Sequence, residues 1–505
     1  MLGTRIFSAE SSSDFAPGLA SGQRYRHSFG DKRLAIRHQE LLTRMCRQQS
    51  AVVNQLSKAK KEQSSYYRFL SNPKVTPPEL IYANIRRDRA EVQGKDLLVI
   101  QDQTSIGFRT KRKRKAYWQA QLGVIEDNDT PGFSAHCSLL IDRDTCSLLG
   151  LGDIVLSHRP LNTYPKEVNQ QARTARRKLP LEAQESFVWA LGASNCQAQL
   201  QGSRRLTFVR DQGSDKYEIL TRILGEGTSE ALWRSRENRQ VREGGKPSDK
   251  RLTDVLAALP WSPRRPTPIR ALNHYSKTHG KSVQRQERTA AIGVRYAKVS
   301  LALPRGLTRP TPLLTRPIYV VEAQEAPDTV PEGEAPIHWR LLSTWSVDSE
   351  EQAWQVVEAY QARWFIEQLF RVLKKQGLRI EDLQLNTLQS LKNQTIMAIT
   401  TSAKALQLTL ARDGKTFTPL ETLFDPEQQS LLQALNEAYT GKTQKQTNPH
   451  DPTSLAWAAW VIARMGGWKG YASQRPPGPI TMKRGLEDFE KIAWATRVLK
   501  RRKDT

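Results

Sequence analysis

The N-terminal region to about residue 85 is predicted to be helical, although residues 1–25 are rich in Ser, Gly and Ala and show no pattern. After Asp31, which is a good helix N-cap, apolar side chains recur at roughly helical intervals. The segment SNPKVTPPELI predicts a loop and then another helix, because Thr76 suits the N-cap and Pro77 the first helical position. A basic helix, loop and helix is typical of DNA-reading domains, and it is equally common in proteins that never touch DNA.

From residue 96 onward, short apolar runs predict β-strands. DLLVIQDQTSIGF is one apolar run ending in the carboxylate of Asp102, and FSAHCSLLID and CSLLGLGDIVL follow it, which predicts a meander. A helical stretch near residues 181–200 leads into RLTFVRDQGSDKYEIL, a strand closed by Asp211 and followed by a helix. Strands mixed with helices place this region in the α/β class.

Three further patterns complete the chain. Residues 235–345 are basic, punctuated by proline and in part alternating, which predicts a β-rich insertion. Residues 349–375 predict one long helix capped by Ser349, and the residues after 380 again follow a helical pattern. The predicted domains are a helical N-terminal domain, a split α/β domain, a β-rich insertion and a helical C-terminal region, over residues 1–85, 86–234 with 346–380, 235–345, and 381–505.

Composition and charge narrow the class of protein. At 505 residues with 38% hydrophobic and 25% charged residues, the chain is too long for one compact core and too apolar for broad disorder. Two to four domains are expected. The 77 Lys and Arg against 51 Asp and Glu leave a formal charge of +26, spread along the chain, which favours a polyanionic partner.

Other signals are absent from the sequence. The four cysteines form no CxxC pair, so neither a disulfide framework nor a zinc site is indicated, and a cytoplasmic location fits best. Adjacent His136 and Cys137 point to opposite faces of a strand and favour core packing over zinc binding. No apolar run has the length of a membrane span, and no GxxxxGK[ST] loop indicates ATP hydrolysis. We therefore expect no membrane contact.

Three acidic residues are candidates for metal-dependent phosphoryl chemistry. Asp102 and Asp211 are predicted at strand ends and Glu367 on a helix, an arrangement that suits two divalent cations about 3.5 to 4 Å apart. Each acid considered alone is also typical of an ordinary strand or helix cap.

One helical face joins an acid to several basic residues. Tyr360, Arg363, Glu367, Arg371 and Lys374 are spaced at i, i+3, i+7, i+11 and i+14. Glu367 on this face can bind a metal while the basic residues neutralise phosphates beside the scissile bond. The same spacing also fits a solvated charged face.

These motifs resemble those of a known family. YQARWFIEQLFRVLK is similar to the Tyr-x2-Arg-x3-Glu-x6-Lys helix of the insertion-sequence-four family of bacterial transposases, and all four positions match. VIQDQTS resembles the family's first catalytic motif and VRDQGSDKYEIL its second, with their aspartates at Asp102 and Asp211. FGDKRLAIR, YYRFLSNPKV and SLAWAAWVIARMGGW extend the likeness over nearly the whole chain, and the transposon-five branch is the most similar.

The resemblance implies a fold and a reaction. It implies an RNase H-like catalytic domain interrupted by a β-strand insertion, with two Mg²⁺ ions, replaceable by Mn²⁺, held by the three carboxylates. The implied reaction is cut-and-paste transposition: water cuts one strand at the terminal inverted repeat, the 3′-hydroxyl forms a hairpin, and reopened ends attack target DNA. A homodimer would pair two ends, in the bacterial cytoplasm at the chromosome.

The resemblance also suggests secondary DNA contacts. Trp339, 28 residues before Glu367, stands where relatives receive a flipped base, although such a Trp is usually a core residue and Trp345 is a competitor. Arg234 stands where relatives carry an arginine near the DNA, and Arg68 lies in the implied end-recognition region. Asp215 is a further candidate for a role at the site. The alternative is that it is a carboxylate in the first turn of a helix, where the helix dipole favours a negative charge.

Two features leave roles open. The run RTKRKRK, residues 109–115, suits a grip on flanking or target DNA and also a solvated basic loop. Trp364, inside the helix motif, is predicted to pack beneath the site. Two rival functions share these features: a structure-selective nuclease on the same fold, and a DNA-binding regulator of transposition without enzymatic activity.

Overall fold

A computed structural model describes most of the chain. The described residues are 8–10, 28–85, 92–110, 112–161, 178–225, 229–269, 272–276, 281–307, 309–374, 377–414, 417–424, 426–441, 446–471 and 476–503. The chain divides into two compact units, here called unit 1 and unit 2. Unit 1 comprises Met1–Ala172, Ala183–Arg204 and Trp364–Thr505, and unit 2 comprises Arg173–Glu182 and Arg205–Arg363.

Unit 1 begins with a short strand and a set of helices. They are β1 (Ser8–Glu10), α1 (Lys32–Gln48), α2 (Val53–Leu56), α3 (Lys60–Leu70) and α4 (Pro77–Ile85). The predicted caps are confirmed: Asp31 Oδ1 accepts from the Arg33 N–H at 2.9 Å, and Thr76 Oγ1 accepts from the Glu79 N–H at 3.4 Å. The N-terminal pattern therefore encodes helices, together with a short strand that the helical spacing did not predict.

The predicted meander is confirmed. Its elements are β2 (Asp96–Gly107), α5 (Lys115–Leu122), β3 (Gly132–Asp142), β4 (Leu148–His158) and α6 (Val188–Gln199). The strand order in unit 1 is β1-β4-β3-β2, and every pair is antiparallel. Helix α6 packs against β3 and β4, which covers one face of the sheet.

The position of Asp102 differs from the prediction. Asp102 was expected at a strand end, yet it lies inside β2, opposite Cys137, and the strand continues to Gly107. Residues 96–101 are all buried, whereas buried and half-buried positions mix from Asp102 onward. The apolar run ends at Asp102 because the strand becomes partly solvent-facing there, not because the strand ends.

Unit 2 is built around a mixed sheet. Its elements are β5 (Arg205–Arg210), α7 (Tyr217–Leu224), β6 (Glu230–Arg234), β7 (Gln240–Glu243), β8 (Lys246–Arg251), α8 (Leu252–Ala257), β9 (Arg265–Ile269), β10 (Leu272–Ser276), β11 (Lys281–Arg285), β12 (Arg288–Val299), β13 (Ile318–Glu325), β14 (His338–Ser343) and α9 (Glu350–Gln361). The order is β5-β6-β14-β13-β12-β9, with β5 and β6 parallel and the other pairs antiparallel. The pairs β7–β8 and β10–β11 form separate two-stranded ribbons.

The two faces of this sheet are covered differently. On one face, α7 and α8 share a core with the strands that includes Tyr217, Trp233, Leu252 and Leu342. Helix α9 packs on β12, β13 and β14. The α/β class predicted from the alternation of strands and helices is confirmed.

The predicted single helix over residues 349–375 is wrong. Ser349 caps α9 as expected, with its Oγ accepting from the Gln352 N–H at 3.3 Å, but α9 ends at Gln361 and α10 (Trp364–Leu373) begins after a turn. At that turn the Arg363 N–H donates to the Tyr360 carbonyl, three residues back, at 3.0 Å. The shift from four-residue to three-residue hydrogen bonding tightens the backbone and ends the helix without Pro or Gly.

The rest of unit 1 is helical, as predicted. It contains α11 (Leu388–Ala411), α12 (Pro426–Tyr439), α13 (Leu455–Met465) and α14 (Pro479–Lys503). Helix α11 is buried along most of its length, and α13 and α14 meet closely at Gly485, where a Cβ would lie 1.7 Å from the Ile462 carbonyl oxygen. Among the described helices, none combines the length and apolar character that a membrane span requires.

Candidate active site

Asp102 is held on the sheet of unit 1. Its half-buried side chain accepts a hydrogen bond at Oδ1 from the Gln103 N–H at 2.8 Å. Cys137 lies opposite and is fully buried, and its thiol pKa is raised by burial first and then by Asp153 and Asp102. The burial of Cys137 confirms its predicted packing in the core.

Glu367 belongs to the same unit as Asp102. It lies in the first turn of α10, is half-buried, and its helix packs against β2, the strand that carries Asp102. Of the two basic residues farther along, Arg371 is exposed, whereas the Lys374 ammonium lies 3.6 Å from Glu381. Unit 1 therefore contributes two of the three candidate carboxylates on elements that pack together.

Asp211 belongs to unit 2 and directly follows β5, as predicted. Its Oδ1 accepts from the Gly213 N–H at 2.8 Å and so caps a 3₁₀ turn over Gln212–Ser214. Among the described residues, no donor bonds its second carboxylate oxygen. A half-exposed carboxylate with one oxygen unoccupied by the protein has the donor chemistry of a divalent-cation ligand.

The three carboxylates are divided between the units. Asp102 and Glu367 lie in unit 1 and Asp211 in unit 2. Within the ranges that the structure describes, no group of three or more His, Cys, Asp or Glu side chains is assembled that could hold a metal ion. A shared metal site for Asp102, Asp211 and Glu367 therefore stays a prediction from their sequence motifs.

The predicted stripe on one continuous helix is not formed, because the turn at Ala362 and Arg363 divides it. Tyr360 and Arg363 precede the boundary between the units, whereas Glu367 follows it. Tyr360 is buried, and burial raises the pKa of its phenol against the opposing influence of Arg363 and Arg234. The phenol thus stays neutral and serves as a packing and hydrogen-bonding group.

Tyr360 supports a half-buried tryptophan. The rings of Trp339 and Tyr360 meet edge to face, with centroids 5.9 Å apart. On β14, Trp339 and Leu341 point to the same face, and Leu341 pairs with Arg234, so Arg234 lies on that face too. The Arg234 guanidinium donates to the His338 carbonyl at 3.1 Å. Unit 2 thus places Trp339, Tyr360 and Arg234 on one side of its sheet.

The competing tryptophans differ in environment. Trp345 is buried, and its indole N–H donates to Thr207 Oγ1 at 3.1 Å, so it has a structural role. Trp364, which was predicted to pack, is half-buried in α10 beside Phe365. Trp339 therefore offers a more accessible ring than Trp345.

The remaining predicted contacts lie at the surface of unit 1. Arg68 is exposed in the last turn of α3, and Arg109 is exposed just after β2. Lys111 of the basic run lies outside the described residues. Lys115, which ends the run, forms an ion pair with Asp129 at 2.5 Å. In the described part of this run, which leads into α5, the exposed basic residues are Arg109, Lys113 and Arg114.

Sequence reasoning missed an unusual arginine beside Asp211. Arg210 ends β5, is fully buried, and none of its three guanidinium nitrogens has a hydrogen-bond partner among the described residues. Burial lowers its pKa to about 9, against the opposing influence of Asp215 and Asp211. The signal was present in the sequence, since Arg210 directly follows the apolar residues Phe208 and Val209 in the strand-like run.

Asp215 has a different environment from the one predicted. It lies between the 3₁₀ turn and α7 rather than in the first turn of a helix, and its side chain is completely buried. Its carboxylate pairs with Arg239, whose side chain is 7% exposed. Arg239 lies 24 positions after Asp215 in the sequence. No local sequence pattern therefore predicts this pair.

One comparison with known proteins bears on this arrangement. Residues 194–403 match the family model of the transposase DDE domain, which is 210 of the 505 residues. The matched stretch contains Asp211, Trp339, Tyr360 and Glu367, whereas Asp102 precedes it. The match supports a DDE transposase family for this chain, and with it transposase or nuclease chemistry.

Proposed function

We propose that this protein is a cut-and-paste DNA transposase of the insertion-sequence-four family, related to the transposon-five branch. The observation that carries the proposal is the match of residues 194–403 to the transposase DDE domain, combined with the Tyr, Arg, Glu and Lys motif inside that stretch. The formal charge of +26 suits a DNA partner. The resemblance implies a bacterial cytoplasmic location at the chromosome.

Asp102, Asp211 and Glu367 would bind two divalent cations, Mg²⁺ or in its place Mn²⁺. Carboxylate oxygens are the ligands that these hard cations prefer. When bound, the cations would lower the pKa of the attacking water or 3′-hydroxyl and stabilise the leaving oxygen. The hydrogen bond from Gly213 orients Asp211, and the paired strand fixes the backbone of Asp102, so each carboxylate starts from a defined position.

The basic residues would hold the DNA backbone. Arg363, Arg371 and Lys374 lie around Glu367 in the sequence, where they would neutralise phosphates on both sides of the scissile bond. Arg234 would contact DNA beside Trp339, and exposed Arg68 would bind the element end. Because such contacts are spread over many residues, loss of any one should weaken binding only modestly.

Trp339 would stack on a base extruded during hairpin formation. A hairpin requires a sharply bent strand, and stacking offsets part of the unstacking energy of a few kcal/mol. Tyr360, held against the Trp339 ring, would keep that ring from rotating away. The half-buried state of Trp339 leaves ring surface for a base.

The proposed domain roles follow the resemblance. Residues 86–234 and 346–380 would form the RNase H-like catalytic domain, with residues 235–345 as its β-rich insertion. Residues 1–85 would recognise the terminal inverted repeat, and residues 381–505 would contribute to the homodimer that pairs two ends. The reaction would then proceed by nicking, hairpin formation, reopening and transfer of 3′ ends to target DNA.

The test uses the purified protein, Mg²⁺ and linear DNA carrying the ends of its native element, with products separated on denaturing gels. The proposal expects nicks, then hairpins and strand-transfer products, all lost in Asp102→Ala. Cutting without joining would instead identify a structure-selective nuclease, and specific binding without cutting would identify a regulator. A matched control is Asp129→Ala, an exposed carboxylate in the same unit, which should retain every product.

A further inference from the structure

The buried carboxylate of Asp215 is saturated with hydrogen bonds inside unit 2. Its donors are the Trp233 indole N–H at 3.1 Å, the Ser235 hydroxyl at 3.3 Å, the Arg236 N–H at 2.7 Å, the Glu237 N–H at 3.0 Å and the Arg239 guanidinium. Four of the five donors come from residues 235–239, the segment that follows Arg234. One carboxylate therefore binds four of the five residues of that segment.

The same residue is tied to the turn that carries Asp211. The Asp215 N–H donates to the Gln212 carbonyl at 3.3 Å, inside the turn that Asp211 caps. Arg239 donates a second hydrogen bond, to the backbone carbonyl of Asp215, at 2.9 Å. The Asp215–Arg239 pair thus connects the turn that Asp211 caps to the segment after Arg234, because Asp215 forms hydrogen bonds with both.

Stability alone is a weak reason for such a pair. Replacing a buried ion pair with apolar groups of similar volume is often neutral or stabilising, because desolvation of both charges offsets their attraction. What the carboxylate does specify is a conformation, since it receives two consecutive backbone N–H groups. In that conformation the Arg236 side chain is 72% exposed and lies two positions beyond Arg234.

We propose that Asp215, acting with Arg239, is a positioning residue for DNA cleavage. It holds the segment over residues 235–239 so that Arg236 presents its guanidinium to a phosphate of the strand on which Asp211 acts. This inference rests on the proposed function. It adds Arg236 as a phosphate contact, and it assigns Asp215 a role distinct from metal binding, since all of its carboxylate's hydrogen-bonding capacity is directed at the protein.

The test measures single-turnover nicking of element-end DNA and end-binding affinity for each variant. Asp215→Asn presents an amide N–H₂ to donors that need an acceptor, so nicking should fall about 10- to 100-fold, the range for a displaced positioning group. End binding should change less than about threefold, since phosphate contacts are many. Arg239→Gln should cause the same loss, and the double variant no further loss, because both act through one pair.

Glu218→Gln is the matched control. Glu218 lies in the first turn of α7 in the same unit, and it pairs with Arg309, whose Nε lies 3.0 Å from its carboxylate. This variant breaks a partly buried ion pair without touching the segment over residues 235–239. It should lower thermal stability while keeping wild-type nicking. Parallel loss of nicking and stability in both variants would show that Asp215 is merely structural.

A scan in which single phosphates of the DNA are neutralised gives a readout that does not depend on the stability of the protein. Single methylphosphonates are placed along the cut strand, and the phosphate contacted by Arg236 appears as a position where neutralisation slows wild-type nicking. That sensitivity should vanish in exposed Arg236→Ala, which leaves the core intact, and in Asp215→Asn. Its persistence in Arg236→Ala would overturn the inference while leaving the transposase proposal standing. A wild-type protein that never nicks would overturn the proposed function itself.

Discussion

No hydrogen-bond partner for the buried guanidinium of Arg210 is found in the part of the chain that the structure describes, so we predict that removing this group stabilises the protein. Arg210 pairs in register with Trp233 on β6, and its side chain is fully buried. In Arg210→Met the aliphatic part of the side chain is largely kept and the charge is lost. The variant therefore tests the free energy of burying one cation without creating a large cavity.

The magnitude follows from the pKa of Arg210. Burial lowers the pKa of Arg210 from its ordinary value to about 9, which corresponds to an upper limit of about 5 kcal/mol for holding the charge in the folded state. Part of that gain is lost on substitution, since Asp211 and Asp215 lose a neighbouring cation. We expect Arg210→Met to raise the free energy of unfolding by about 1 to 3 kcal/mol, as for other replacements of buried ionic groups.

The pH dependence of this difference has a definite sign. Burial places the pKa of Arg210 in the folded protein, about 9, below its ordinary value in the unfolded protein, so between these two pKa values the folded state binds fewer protons. The unfolded state then binds more protons, so this group's contribution to wild-type stability rises with pH in that window. The advantage of Arg210→Met over wild type should be full below pH 9 and should shrink as pH rises above 9.

The assay is urea denaturation followed by tryptophan fluorescence at pH 7.5, 9 and 10. Arg205→Met is the control, because Arg205 is exposed at the other end of the same strand and its loss should change stability by less than about 0.5 kcal/mol. The reasoning is refuted if Arg210→Met is less stable than wild type, or if its advantage grows between pH 9 and 10.

Three further predictions address the site and the core. Glu367→Ala should abolish nicking while gel-shift affinity for element ends changes only a few-fold; equal loss of both would contradict a metal-ligand role. Trp339→Ala should leave the first nick intact and deplete hairpins on denaturing gels, whereas a slowed first nick would refute base stacking. Asn393→Ala removes donors to the Leu70 and Val75 carbonyls at 2.9 and 2.6 Å, so urea midpoints should report a loss of about 1 to 3 kcal/mol, and an unchanged midpoint would contradict it.

Local patterns predicted the elements whose cause is local. The helix caps at Asp31, Thr76 and Ser349 depend on residues within three positions, and all three form as expected. The meander follows from apolar runs separated by short connections. In contrast, the helix break at Arg363 results from a change in backbone hydrogen bonding, and no Pro or Gly in the sequence predicts it.

The sequence predicted only those residues of the candidate site that belong to recognisable motifs. Asp211 follows its strand as expected, whereas the end of an apolar run at Asp102 reflected a change in solvent exposure along a continuing strand. Arg239 is 24 residues from Asp215, counted from their numbers, and no period or spacing links the two. Polar pairs between residues far apart in sequence form only when the sheet folds. The sequence therefore predicted the motif residues but not the Asp215–Arg239 pair that lies beside them.

The distribution of ion pairs in unit 2 determines where the positive charge of the chain is available. Glu322, Glu325 and Asp215 have side chains at most 4% exposed, and they pair with Arg295, Arg288 and Arg239, which are at most 16% exposed. Each such pair removes one acid and one base from the surface equally, so it leaves the net charge of the surface unchanged. Because these acids are buried, they compete little for the exposed arginines of unit 2, which would leave those arginines available to the proposed DNA partner.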